Sequence, residues 1–381
     1  MDASRDNGIN IFRLFGFQVR IDFSWIIIAV LIAWTLSTGF FPFQYEDLSP
    51  GTYWAMGIIG ALGLFLSIII HELSHSLVAR RYGLQMRGIT LFMFGGVSEM
   101  PEEPPGPKAE FMMSVVGPLS SGILAYMFYG LSAGAAMAGL SGPVNGLIRY
   151  LAFINALLAV FNLVPAYPLD GGRILRSALW GAKGDLRWAT RISSRLGAAF
   201  GLFLIVSGFY RAFFAGNFIA GLWWAFIGIF LYGSAKTSYR QLLTTRALEG
   251  LSVRRFVNGD PVTVAPDITV EQLVNDYVYA SSNRVYPVVS GSDTVEGCVT
   301  TSTIRETPRV EWGRKRVRDI EAPCSAGNTI APDEKAINAL SQMSRSGVSQ
   351  LMVVDNGRLA GIVSLRDIMN FLSLRIELDA A

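Results

Sequence analysis

Six apolar runs of near-spanning length constrain this chain more than any other feature of its sequence. They fall at 22–40, 54–79, 110–138, 147–166, 190–210 and 214–233, each near the roughly 20 residues a helix needs to cross the hydrocarbon core of a bilayer. Buried helices of a large soluble protein are shorter than this, so the runs read as six transmembrane helices. Composition agrees, since 51% of the 381 residues are hydrophobic and 16% are charged, against about 25% charged in an ordinary soluble domain. Arg5, Arg13 and Arg20 precede the first run, as basic residues do in a secretory signal. No small-residue cleavage pattern follows near Thr38, so this run is expected to remain as the first span.

The flanking charges set an orientation. Lys and Arg gather before span one, between spans two and three (Arg80, Arg81, Arg87, Lys108), between four and five (Arg173, Arg176, Lys183, Arg187) and after six (Lys236, Arg240, Arg246). Of the alternate loops, 41–53 carries Glu46 and Asp47, 139–146 is uncharged, and only Arg211 lies between spans five and six. The positive-inside rule then places both termini in the cytoplasm of a multi-pass protein embedded in the lipid bilayer.

Beyond about residue 250 the pattern changes to short β-branched runs alternating with helical stretches, and it repeats. The segment from Pro261, PVTVAPDITVEQLVNDYVYASSNRVYPVVSGSDTVEGCVTTSTI, is echoed from Asn328 by NTIAPDEKAINALSQMSRSGVSQLMVVDNGRLAGIVSLRDI. Each copy reads as strand, Pro-Asp turn, amphipathic helix, two strands around a Gly-containing turn, and a closing helix. Two copies make one α/β domain, because a solenoid needs at least three units. The expected organisation is a six-helix membrane domain over 1–249 and a cytosolic α/β domain over 250–381. The first carries 18 Lys+Arg against 13 Asp+Glu and the second 14 against 16. No basic block suits a nucleic-acid groove; the cluster Arg314, Lys315, Arg316 and Arg318 reads as a solvated face, and direct nucleic-acid binding is not expected. Cys298 and Cys324 are the only cysteines, too few for a disulfide scaffold, and are expected to be reduced.

Span two reads LGLFLSIIIHELSHSLVARRYG and holds both histidines of the chain, His71 and His75, with Glu72 between them. Positions i and i+4 share a helix face. His71 and His75 can therefore grip one metal ion while Glu72 stands beside it as a general base, the mechanical content of H-E-x-x-H. Ionisable groups inside a span cost about 2.5–3.5 kcal/mol each on insertion scales, which favours a functional reading over helix decoration. Catalytic zinc takes three protein ligands and keeps one position open. The membrane part has no third His and no Cys, and Glu46, Asp47, Glu99, Glu102, Glu103 and Glu110 lie in loops or at span edges. Asp170, at the end of span four in NLVPAYPLDGGR, reaches the same cytoplasmic-side depth and is the candidate third ligand. The plainer reading is a turn residue in Asp-Gly.

HELSH in span two, GPLSS at Gly117–Ser121 and NLVPAYPLDGGR in span four resemble the site-2 protease family of intramembrane zinc metalloproteases, over most of residues 10–235. The resemblance implies that His71, His75 and Asp170 bind one zinc ion per chain and that Glu72 is the catalytic base. It implies substrate binding by Asn162, whose alternative is a helix-terminal hydrogen bond. The family often has Asn where Ser121 stands, which leaves the role of Ser121 open. In the loop after span two, the family places strands that can pair with an unwound substrate segment, here around Gly95 and Gly96. The implied partner is a membrane-anchored protein substrate, a transcription regulator or an anti-sigma factor.

The C-terminal repeat resembles a tandem of CBS motifs over about 254–375. Such pairs bind adenosine nucleotides through a Ser or Thr and an Asp three residues on. The second copy supplies Ser364 and Asp367; the first has Thr300 followed by Thr303, not Asp. At most one good ribose site is implied, against a purely structural or dimerising pair that would join two copies of the chain. The expected function is an intramembrane zinc endopeptidase modulated by this pair. A transporter or channel gated by the CBS pair is the alternative, and an inactive metal-binding scaffold is a third reading that the intact Glu72 argues against.

Overall fold

The computed structural model describes residues 8–84, 88–92, 95–98, 103–140, 142–281, 283–291 and 294–378. The chain divides into two compact units, one over Arg5–Arg240 and the other over Gln241–Ala381.

The first unit opens with a hairpin, β1 (Gly8–Leu14) and β2 (Phe17–Asp22), turned by Phe15 and Gly16, both at positive φ. Asp22 ends β2 and caps helix α1 (Phe23–Thr35) by accepting from the Ser24 backbone N–H at 2.8 Å. A π-helical turn carries α1 into α2 (Phe41–Gln44), and the two form the first span. Helix α3 (Pro50–Arg81) starts at a Ser49 cap with Pro50 in its first turn, where a missing N–H costs nothing. Short strands β3 (Gly88–Phe92) and β4 (Gly95–Ser98) follow, then α4 (Pro107–Met137), α5 (Gly142–Asn162), α6 (Asp170–Lys183), α7 (Leu186–Phe213) and α8 (Phe218–Leu248). Among the described residues six helices are long and apolar enough to cross a membrane. They turn large apolar side chains such as Ile27, Val30, Phe209 and Phe213 outward, as lipid contact requires.

Three features differ from the hydropathy pattern. The fourth span ends at Asn162 rather than near 166, because Pro165 and Pro168 deny the helix its N–H donors and disfavour α backbone before them. Asp170 therefore begins a separate short helix, α6, instead of ending span four. The last helix runs to Leu248, well past 233, since helical structure does not stop where apolar sequence does. The hairpin β1–β2 joins β3 and β4 in one sheet of order β1-β2-β3-β4, with β2 and β3 parallel. Phe17, Ile89 and Leu91 of this sheet are buried with Leu73 of α3, so the sheet rests on the helix turn that carries the His motif.

The second unit is α/β. Its first copy has a short helix α9 (Val270–Gln272) extended by a π-helical turn, strands β5 (Val285–Ser290) and β6 (Thr294–Thr300), and α10 (Thr301–Glu306). The second has β8 (Thr329–Ile330), α11 (Ala336–Ser346), β9 (Gln350–Asp355), β10 (Arg358–Ser364) and α12 (Leu365–Leu378), with β7 (Ala322–Pro323) between the copies. The sheet runs β5-β6-β10-β9-β8, so β6 and β10 join the two copies. The first strand of the first copy is reduced to one bridge, Val264 to Val288.

Helices α7 and α8 pack backbone to backbone through glycines. A Cβ on Gly208 would lie 2.6 Å from the Gly221 carbonyl oxygen, and one on Gly201 2.8 Å from that of Gly228. Lipid gives helices no hydrophobic reason to associate, so close backbone contact at small residues does the work. Gly208→Leu is expected to destabilise the pair by about 1–3 kcal/mol and lower the melting temperature of the solubilised protein. Gly233→Leu, at a position with nothing within 4 Å, is the control expected to leave it unchanged.

Candidate metal centre

One turn of α3 separates His71 from His75, and their Nε2 atoms face each other at 3.1 Å. The Asp170 Oδ2 atom lies 3.0 Å from His71 Nε2 and 3.2 Å from His75 Nε2. Among the described residues these three are the one group of three His, Cys, Asp or Glu side chains close enough to share an ion. The loop 163–169 delivers Asp170 to this point by folding back on the first turn of α6. That fold requires the two glycines after Asp170: a Cβ would stand 2.3 Å from the Leu163 carbonyl oxygen at Gly171 and 2.1 Å from the Tyr167 nitrogen at Gly172.

Helix α4 supplies the opposite wall. A Cβ at Gly117 would fall 2.2 Å from His75 Nε2 and 2.7 Å from His71 Nε2, so only glycine lets α4 approach the imidazoles. Four residues to either side, α4 orients the rings. His75 Nδ1 donates to the Met113 carbonyl oxygen at 2.5 Å, and His71 Nδ1 meets the Ser121 hydroxyl at 3.0 Å.

These contacts decide what the cluster can hold. A carbonyl oxygen only accepts, so His75 carries its proton on Nδ1 and presents a lone pair at Nε2. A serine hydroxyl accepts as well as donates, so Ser121 lets His71 take the same tautomer. In those tautomers two lone pairs and a carboxylate oxygen converge within 3.2 Å, an arrangement that a bound cation relieves. Tetrahedral zinc with bonds of about 2.0–2.1 Å would set its donors roughly 3.3 Å apart, and N and O donors in a set of three with an open position are what catalytic zinc takes.

Glu72 is half-buried beside His71 on α3. Asn162 is the last residue of α5, and its Nδ2 donates to the Leu158 carbonyl oxygen at 3.0 Å; it is not one of the clustered donors. Gly95 and Gly96 lie in β4, opposite Phe92 and Leu91 of β3, and β4 is the terminal strand of its sheet. Glu46, Asp47, Glu103 and Glu110 are outside the donor group. Arg87, Glu99 and Glu102 lie outside the described residues. In the second unit, Ser364 Oγ donates to Asp367 Oδ2 at 2.6 Å and accepts from the Asp367 N–H at 3.2 Å. Both line a cavity of about 570 Å³ with Asp260, Arg284 and Arg366. Thr300, hydrogen-bonded to Thr303 at 2.9 Å, is not among the residues that line it.

The sequence alone assigns no part to Gly117 or Met113; the signal it carries is a glycine and a serine four residues apart in GPLSS, on a helix that must face the His motif. Gly117→Ala is expected to abolish metal binding while leaving helix content unchanged, as measured by metal analysis of the purified protein alongside circular dichroism.

Comparison with known proteins identifies the chain. The family model of peptidase family M50 matches residues 59–139 and 133–204, and that of the CBS domain matches residues 317–374. Rip3 of Mycobacterium tuberculosis, which carries a zinc metalloprotease name, is 32% identical over 95% of this chain and 92% of its own. A zinc metalloprotease of Methanocaldococcus jannaschii is 28% identical over 96% of both chains. The solved site-2 protease from Methanocaldococcus jannaschii is 27% identical, covers 61% of this chain and 95% of its own, and superposes with a TM-score of 0.43. The chain therefore belongs to peptidase family M50, as a membrane-embedded zinc metalloprotease of the site-2 protease type with a CBS domain after its six spans.

Proposed function

We propose that His71, His75 and Asp170 hold one zinc ion per chain and that the protein cuts a transmembrane segment of a membrane-anchored protein near the cytoplasmic face, with both termini on that side. The convergence of three donor atoms within 3.2 Å carries this reading. When bound, zinc supplies Lewis acidity, acidifying water and drawing charge from the scissile carbonyl. Glu72, beside His71, accepts the proton of the attacking water and passes it to the leaving amine. A transmembrane helix keeps its carbonyls in its own hydrogen bonds and must unwind before attack. The free side of β4, including Gly95 and Gly96, takes up the backbone groups so released by strand addition, and Asn162 binds the same segment. A transcription regulator or anti-sigma factor is the substrate class that fits a protease of this type.

The second unit, 250–381 against a protease part of 1–249, modulates cleavage by binding an adenosine nucleotide and offers a route to a homodimer. Ser364 and Asp367 hold the ribose and phosphate, with Arg284 and Arg366 in the same cavity to balance phosphate charge. A carboxylate accepts two ribose hydroxyls where a threonine cannot, so the Thr300 copy contributes no equivalent site and one nucleotide binds per pair.

The decisive test compares wild type, Glu72→Ala and Asp170→Ala for zinc content and for cleavage of a single-span model substrate. Wild type should hold about one zinc and cut; Glu72→Ala should keep zinc and lose cutting; Asp170→Ala should lose both. A wild type without zinc, or a Glu72→Ala variant that cuts normally, overturns the reading. For the second unit, Asp367→Ala should weaken AMP or ATP binding at least tenfold in calorimetry, whereas Thr300→Ala should leave it unchanged.

A further inference from the structure

Arg176 of α6 and Glu110 of α4 form an ion pair with almost no exposure, 3% and 1% respectively. The Arg176 Nε donates to Glu110 Oε1 at 2.5 Å and Nη2 reaches the same oxygen. Nη2 also lies 3.4 Å from Glu103 Oε2, and the guanidinium sits 5.2 Å from the centre of the Tyr167 ring. Tyr167 belongs to the loop that delivers Asp170. One buried cation thus ties together α4, α6, that loop and the segment leading into α4.

The pair is a poor device for stability alone. Two buried charges lose their hydration, and a well-packed apolar pair is often as stable or more so. Its geometry is also incomplete. Both donors crowd onto Oε1, while Glu110 Oε2 is buried without a hydrogen-bond partner among the described residues. What the pair does supply is position. His75 is fixed to α4 at Met113 and Asp170 belongs to the helix fixed to α4 at Glu110, three residues earlier and about 4.5 Å along the same helix. On α6, Arg176 stands about 9 Å from Asp170 along a rigid rod. The His75–Asp170 separation is therefore set through a short stretch of α4, and a slide of α6 by 1 Å would break the 3.0–3.2 Å triangle.

We propose that Glu110 and Arg176 are positioning residues for the metal centre, holding Asp170 in register with His71 and His75. The inference rests on the zinc site proposed above. It is tested with the full chain in lipid nanodiscs, using Glu110→Gln, which keeps an acceptor for Arg176, and Arg176→Lys, which keeps the charge and loses the fork. Zinc affinity is read by competition with a chromophoric chelator, and melting is read on zinc-stripped protein. Removing an outer partner of a metal ligand costs about tenfold to a hundredfold in metal affinity. Both variants should show that loss along with lower metal-free melting, as breaking a buried pair entails, whereas the volume-matched apolar pair Glu110→Leu with Arg176→Met should lose zinc affinity with metal-free melting close to wild type, and cleavage should return when zinc is raised. Unchanged zinc affinity would overturn the proposal. So would metal-free melting of the apolar double variant that falls together with its affinity, or its failure to fold, since each makes the pair general scaffolding. A wild type that binds no zinc would instead sink the metal reading itself.

Discussion

Three electron-rich atoms from two helices must sit within 3.2 Å of one another in a protein whose surroundings are largely hydrocarbon, and the membrane unit is organised around that demand. Neither α3 nor α6 meets it alone. The two imidazoles share a face of α3, but their ring orientations come from α4, through the Met113 carbonyl and the Ser121 hydroxyl. Asp170 reaches them only because a loop broken by prolines folds onto the glycines that follow it. Helix α4 serves as the common reference, presenting at 110, 113, 117 and 121 a charge, a carbonyl, an absent side chain and a hydroxyl. That spacing repeats every three or four residues, which is one stripe of an α-helix.

Much of this was legible in the sequence, and the limits of what was legible are physical. Hydropathy located all six long helices, because lipid contact demands uninterrupted apolar length. His71, Glu72 and His75 were legible because their geometry is local to one helix turn. Asp170 is the candidate that depth and elimination leave, but hydropathy puts it at the end of span four and not at the start of α6. The apolar stretch after Asn162 looks like more span, and only Pro165 and Pro168 signal that a new helix begins. Of the partners of the imidazoles, Ser121 was marked by the GPLSS motif without a role, and the Met113 carbonyl was not legible, since it is a main-chain atom 38 positions from His75 that no residue type announces. The β1–β2 hairpin, with strands of seven and six residues, gives no separate signal because it runs directly into a span whose hydropathy dominates the window. In the second unit the internal repeat announced the architecture, but not that one first strand would shrink to a single bridge.

The same economy runs through the packing. Where a soluble protein would bury leucine between helices, this one removes side chains, at Gly117 against the imidazoles and at Gly201, Gly208, Gly221 and Gly228 between α7 and α8. Backbone atoms then become the contact surface. In a medium without a hydrophobic effect between helices, contact area and dispersion reward the closest approach available.

The His75 contact at Met113 has a further implication for how such a site tolerates change. The acceptor is a main-chain oxygen, so it belongs to the fold and not to the side chain that happens to occupy position 113. Any residue compatible with the helix offers the same oxygen at the same place. A substitution survey of α4 would therefore report at position 113 only the packing of its side chain, which is buried with Ala79 and Leu84, while the anchor of the ring passes unscored through the backbone of the same residue.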